Sequence, residues 1–332
     1  MEIYSPVYFN SFRCIAADCP DSCCKDWEVD VDDAAAERYR ALSGELGERL
    51  RSVMRDTGDG ISMTLEQGRC PMWRQDGLCR IQAELGHEAL CNTCREFPRL
   101  RHDYGDFVEL GLELSCPEAA RIILNAREHG MLVTALPGGE APDYDPEIMR
   151  ILRSSREEML TFLKTTPFSL RETLAVILLY AHGVQGAIDG GEFPIFTPTA
   201  LLREAKGYGA TGDIKKIFAF FRNLEILTPR WDALLQHPAH NGNWPKQIAL
   251  LAIYMVQRYW LQAISDYDLV CRVKLVVAAC LLVNALGGDV QETAQLFSKE
   301  IENNADNVEM ILDGAYSNAA FTDMNLLGLL LA

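Results

Sequence analysis

Two kinds of hydrophobic patterning divide the chain. Beyond residue 169, apolar residues recur at three-and-four spacing over 214–227, 245–264, 269–286, 290–302 and 307–315, the mark of helices lying against a core. Ser169-Leu170-Arg171-Glu172 has the form of a capping box and predicts a helix running through Leu174, Ile177, Leu178 and Ala181. Gly190, Gly191 and Pro194 end it, and 199–206 reads as a further helix. The first 135 residues keep no single period. Asp32-Asp33 starts a predicted helix over 34–42 with Gly44 as its stop, and 45–55 makes a second. Residues 61–65 alternate as a strand, Gln75-Asp76-Gly77 suits a hairpin turn, and Val108, Leu110, Leu112 and Leu114 share one face of a strand over 107–114. Ser115-Cys116-Pro117-Glu118 predicts a second capping box opening a helix over 119–128 that ends at Gly130. The stretch 136–146, rich in Pro, Gly and acids, reads as a linker. The expected fold is therefore mainly α: a helical bundle over 147–332 carrying a small, irregular, cysteine-rich α+β unit over 1–135.

Cysteine placement sharpens that division. Nine of the eleven cysteines fall in the first 116 residues, none in the next 154, and Cys271 and Cys280 follow far downstream. The segment 12–27 alone holds Cys14, Cys19, Cys23 and Cys24; Cys70, Cys79, Cys91, Cys94 and Cys116 complete the group. Core packing does not require such segregation, so the N-terminal third needs sulfur. The N-terminus shows no basic-then-apolar leader, and the apolar run 275–283 is far short of the ~20 residues of a membrane span. The chain reads as cytoplasmic, with no membrane partner. In a reducing compartment clustered thiols are metal ligands or redox groups before they are disulfides. A net charge of −16 argues against nucleic acid as partner; it suits a lysine-bearing protein, or simply solubility.

Spacing narrows the metal. Zinc favours paired Cys-x2-Cys arms, and only Cys91 and Cys94 fit. Iron–sulfur clusters accept more varied spacing, which ranks them above zinc here. Cys19-x3-Cys23-Cys24 approaches, without matching, the Cys-x3-Cys-x2-Cys of radical adenosylmethionine enzymes. A metal that merely staples an irregular unit together is the plainer alternative. Cys116, in the first turn of its helix, is expected to gain thiolate character from the helix dipole. Other features have bland readings. Gly207-Tyr-Gly209-Ala-Thr-Gly212 has the dinucleotide-binding spacing but follows a helix, not a strand, so it reads as a loop. His237 and His240 resemble a metal pair but sit in a turn, His87 and His102 flank the second cysteine group as candidate ligands but read as exposed, and Cys271 and Cys280 read as core. Tyr4, Tyr8, Phe9 and Phe12 form an aromatic group beside Cys14 that suits either an adenine pocket or plain packing. Asp18, Asp21, Asp26 and Tyr104 are the acceptors near the cysteines; nothing chooses among them.

The segments 12–27, Cys70-Pro71 with 78–81, 93–99 and 109–121 together resemble the flagellin lysine-N-methylases, relatives of small bacterial zinc- or iron-chelating cysteine-rich proteins. A weaker likeness continues through 254–260, 298–302 and Asn307. The resemblance implies methylation of lysine side chains on a flagellin-type protein substrate. S-adenosylmethionine would be the donor, and an iron–sulfur cluster of the 4Fe-4S kind would be held by Cys14, Cys19, Cys23, Cys24, Cys70, Cys79, Cys94 and Cys116. Eight thiolates suffice for two such clusters, or for one with other roles for the rest; zinc is the alternative metal. Cys91 falls outside the matching set and reads as an extra thiol. The catalytic and donor-contacting residues are not identifiable from sequence. The contrasting reading is a non-enzymatic zinc- or iron-binding module with a helical interaction body.

Overall fold

A computed structural model describes residues 1–58, 60–238 and 242–332. Its strands are β1 (Glu2–Pro6), β2 (Val29–Asp30), β3 (Met54–Asp56), β4 (Ile61–Met63), β5 (Arg99–Asp103), β6 (Phe107–Leu112) and β7 (Met131–Ala135). They form a four-stranded sheet in the order β5-β6-β1-β7 and a three-stranded one in the order β2-β4-β3. The alternation over 107–114 becomes β6, which runs antiparallel to β5 and parallel to β1, with Ile3 opposite Val108. Strands β1 and β7 were not expected. β7 is an edge strand whose Leu132 and Val133 are exposed, so it lacks the one-faced alternation that betrays a strand. The amino terminus, continuing β1, ties the chain just beyond it, donating to the carbonyls of Leu136 (3.1 Å) and Gly138 (2.7 Å) in the expected linker.

Local signals in the N-terminal third hold in part. Asp32 caps Asp33–Ala41 through the Ala35 N–H, but Gly44, read as a stop, opens the next helix, Gly44–Val53. Its φ of +82° gives the tight reversal that joins the two, a conformation suited to glycine. The capping box at Ser115 does not form. Cys116 takes the N-cap position without a side-chain bond, and Pro117 opens the helix Pro117–Leu124. Glu118 turns to Arg121 instead (2.6 and 2.7 Å), and the buried Ser115 offers its carbonyl to Gln295. The capping box at Ser169 is complete, with Glu172 bonding Ser169 through one carboxylate oxygen and Lys206 through the other.

The rest is helical as expected. Leu269–Leu286 is the axis of the body, packed by Leu170–Ile188, Lys246–Tyr259, Val290–Phe297, Ala305–Ser317 and Asp323–Leu331. By length and hydropathy it could cross a membrane, yet 94% of it is buried in this core. Two expected helices are cut short: Ile214–Phe221 stops early, and Val290–Phe297 gives way to a wide π turn, Ser298–Glu302. The large core spans both parts of the chain, taking Phe12, Phe107, Leu112, Leu114 and Ile123 together with the helices. A separate small core, from Val29 to Cys91, includes Tyr39, Leu50, Met63, Met72, Cys70 and Cys91. The α+β character of the N-terminal third is thus observed.

Candidate thiol-lined cavity

The cysteine loop, the 77–99 segment and the start of Pro117–Leu124 enclose a cavity of about 810 Å³. Its wall includes Cys14, Cys19, Cys23, Cys24, Cys79, Cys94 and Cys116, seven of the eight cysteines singled out. The eighth, Cys70, lies just behind: its N–H donates to the Cys24 carbonyl at 2.7 Å and its thiol meets the Met63 sulfur at 4.0 Å. Cys91, read as an extra thiol, is buried in the small core and hydrogen-bonds to the thiol of Cys94. All nine thiols of the N-terminal third therefore share one neighbourhood, although up to 102 positions of sequence separate them.

Two contacts pair these thiols. The hydrogen bond between Cys23 and Cys24 lowers the Cys24 thiol and raises that of Cys23. The hydrogen bond between Cys94 and Cys91 likewise lowers Cys91 and raises Cys94. Burial pushes Cys70 up to about 12 and Cys116 up to about 11. At Cys116 the N–H groups of Glu118 and Ala119 pull the other way, as a helix start should, but desolvation outweighs them. The expected thiolate character of Cys116 is not realised. Among the described residues, no group of three or more His, Cys, Asp or Glu is arranged to hold a metal ion.

The remaining wall is aromatic and basic. Trp27 donates its indole N–H to the Cys23 carbonyl at 2.9 Å and packs on Phe97 with ring centroids 5.8 Å apart. Arg99 lies over Phe12, the one lining member of the N-terminal aromatic group. Tyr4 packs edge-on against Phe107, and Tyr8 lies at a separate small pocket beside His102. The helical body supplies Lys299 and Asn303, one turn apart, which sequence reasoning missed because a buried lysine looks like any surface lysine in a helical pattern.

The other acceptors and histidines disperse. Asp21 lines the cavity, Asp26 bonds Lys299, Asp18 is exposed, and Tyr104 stacks on Phe107 in the large core. His87 is exposed on the cavity rim as expected, but His102 is not exposed. Burial holds it in its neutral form, the Nε2 atom without a partner. It borders a belt of buried charge behind the cavity: Arg156 grips Glu109, while Arg258 reaches Glu302 (3.2 Å) and Glu113 (3.6 Å), with the Tyr259 hydroxyl donating to Glu302 at 3.0 Å. Cys271 and Cys280 are buried core residues. Gly207 ends the helix Pro198–Gly207, and 208–212 is a loop whose Gly212 presses on the backbone of Leu329. His237 ends the helix Pro229–Gln236, and His240 lies outside the described residues.

Comparison with known proteins gives a partial match. The chain is similar to the flagellar biosynthetic protein FliU of Salmonella muenchen, 33% identical over 134 residues, covering 37% of this chain and 77% of that protein. It is equally similar to the Lysine-N-methylase of Salmonella typhimurium and that of Salmonella choleraesuis, 33% identical over 134 residues. There the match spans only 32% of each relative's length. No family model matches, and no solved structure matches.

Proposed function

The chain belongs to the flagellin lysine-N-methylase family, and on that premise we propose that it methylates lysine side chains of a flagellin-like protein, with S-adenosylmethionine as donor and the cavity as the reaction site. The observation that carries the reading is the gathering of seven cysteines around one cavity of about 810 Å³, a volume typical of small-molecule sites. Thiolate-rich lining suits a soft metal centre. A single ion needs its ligands nearly touching, which this arrangement does not offer. A four-iron cluster is larger and takes thiolates from farther apart, so the donor set fits it better than zinc. Cys14, Cys19, Cys23, Cys24, Cys70, Cys79, Cys94 and Cys116 are the proposed ligands, and Cys91, bonded to Cys94, joins the candidates. Such a centre supplies a Lewis-acidic iron or an electron when bound.

The chain's own residues would do the rest. Trp27 and Phe97 present aromatic faces for the donor's purine. Asp21 keeps its charge through Lys25 and Lys299 and so is a poor proton acceptor; His87 on the rim is the better-placed base. Exclusion of water as the substrate chain docks would favour the neutral amine of an entering lysine. Its nitrogen then bonds the methyl carbon as the carbon–sulfur bond breaks, and the proton leaves to the base. The test is to reconstitute the protein anoxically with iron and sulfide, add donor and flagellin from the same organism, and measure methyl mass increments on lysine. Increments that require donor support the reading. No donor binding with a metal centre intact would favour the non-enzymatic binding module.

A further inference from the structure

We propose that Lys299, with Gln295, is a latch by which the helical body positions the cysteine loop on the cavity. No residue from 13 to 28 is fully buried, and the loop's own apolar anchoring is limited to Trp27 on Phe97 and Cys24 against the small core. The rest of what holds it is polar, and the deepest contact comes from 273 and 278 positions away. Lys299 is only 5% exposed, and from the π turn Ser298–Glu302 its ammonium reaches Asp21 (3.1 and 3.3 Å) and Asp26 (2.9 Å). These two carboxylates bracket Cys23 and Cys24. A buried ammonium is costly unless paired, so the body needs the loop's acids as much as the loop needs the cation.

Gln295, one turn earlier on the same face, donates to Asp21 (3.1 Å) and to the Ser115 carbonyl (2.8 Å) beside Cys116. One helical face thus grips both sides of the cavity, the loop carrying Cys19, Cys23 and Cys24 and the segment that places Cys116. The backbone of Asp26 supports the same conclusion. Its φ of +69° is uncommon for a residue with a side chain and persists only where the surroundings impose it. Its N–H donates to the Gly68 carbonyl at 2.9 Å and its carboxylate bonds Lys299, so backbone and side chain are both fixed. Lys25, the other cation on Asp21, belongs to the loop itself and adds no tie to the body.

The latch can be tested in metal-free, donor-free protein, so its failure is separate from failure of the methyl-transfer reading. Amide hydrogen exchange would be followed by mass spectrometry in wild type, Lys299→Met, Lys299→Arg and the Asp21→Asn/Asp26→Asn pair. In Lys299→Met, exchange at the bonded amides of Cys19, Cys24 and Asp26 should accelerate on the order of tenfold, while Leu269–Leu286 keeps its protection. The double Asp-to-Asn variant should reproduce this, adding Lys299→Met to it should change little, and Lys299→Arg should stay within about twofold of wild type. The same Lys299→Met protein, reconstituted with ferrous iron and sulfide, should hold less iron per chain than wild type. Unchanged exchange in the loop would overturn the proposal. So would equal acceleration in the loop and in Leu269–Leu286, which would mark general unfolding.

Discussion

Arg156→Met should destabilise the protein by about 3–5 kcal/mol at neutral pH, because it leaves a buried carboxylate without its partner. Arg156 projects from Pro146–Thr165 and holds both oxygens of Glu109 on β6, with a further bond to the Gln257 carbonyl at 3.3 Å. The two side chains are only 12% and 9% exposed, so solvent screening is weak. A stranded carboxylate escapes by taking up a proton. From the ordinary glutamate value this costs roughly 3.7 kcal/mol at pH 7 and roughly 1 kcal/mol at pH 5. The loss should therefore shrink by more than half between those pH values. Arg156→Met/Glu109→Leu, which removes both charges, should lose no more than about 1–2 kcal/mol at either pH. Urea denaturation followed by circular dichroism at pH 7 and pH 5 measures all four quantities. A single-variant loss below about 1 kcal/mol at pH 7, or one that does not fall at pH 5, would refute the claim that this joint between sheet and helices is an electrostatically closed pair.

Gly212→Ala should cost at least about 1–3 kcal/mol in the same assay, since a Cβ there would lie 2.3 Å from the Leu329 nitrogen and 2.6 Å from the Asn325 carbonyl oxygen; a neutral result would contradict that packing. Asp323 accounts for a pH effect: burial alone would raise its carboxyl, but His182 at 3.0 Å and Lys274 at 3.3 Å outweigh burial and hold it below the usual value. A depressed carboxyl stabilises the fold above its unfolded-state pKa and loses that contribution as pH falls through its folded one. The stability gap between wild type and Asp323→Asn should thus be full at pH 6–7 and fade below about pH 4, as paired thermal melts would show. Cys116→Ser should lower iron content after reconstitution, whereas Cys280→Ser, buried in the body's central helix, should leave it unchanged; equal effects would detach the metal from the cavity.

The sequence by itself determined the elements whose causes are local. The Ser169 capping box, the helix Leu269–Leu286 and strand β6 follow from periodicity and end chemistry within a dozen or so residues, and they stand where the pattern put them. The segregation of the cysteines was legible for the same reason, since it is a fact about composition along the chain. Tertiary structure decided whatever depends on a distant partner. β7 is a strand only because β1 lies beside it, and Ser115 forgoes its capping box because the helix begins one residue later, with Cys116 at the N-cap, while Arg121 claims Glu118. His102 is half-buried in a small pocket it shares with Tyr254, Gln257 and Arg258, which no local pattern announces. Cys91 looked dispensable until the fold set its thiol against Cys94. Lys299 looked like one more surface charge until the π turn carried it under the cysteine loop. Burial and pairing are properties of surfaces brought together, and a chain records them only as residues whose partners are not yet named.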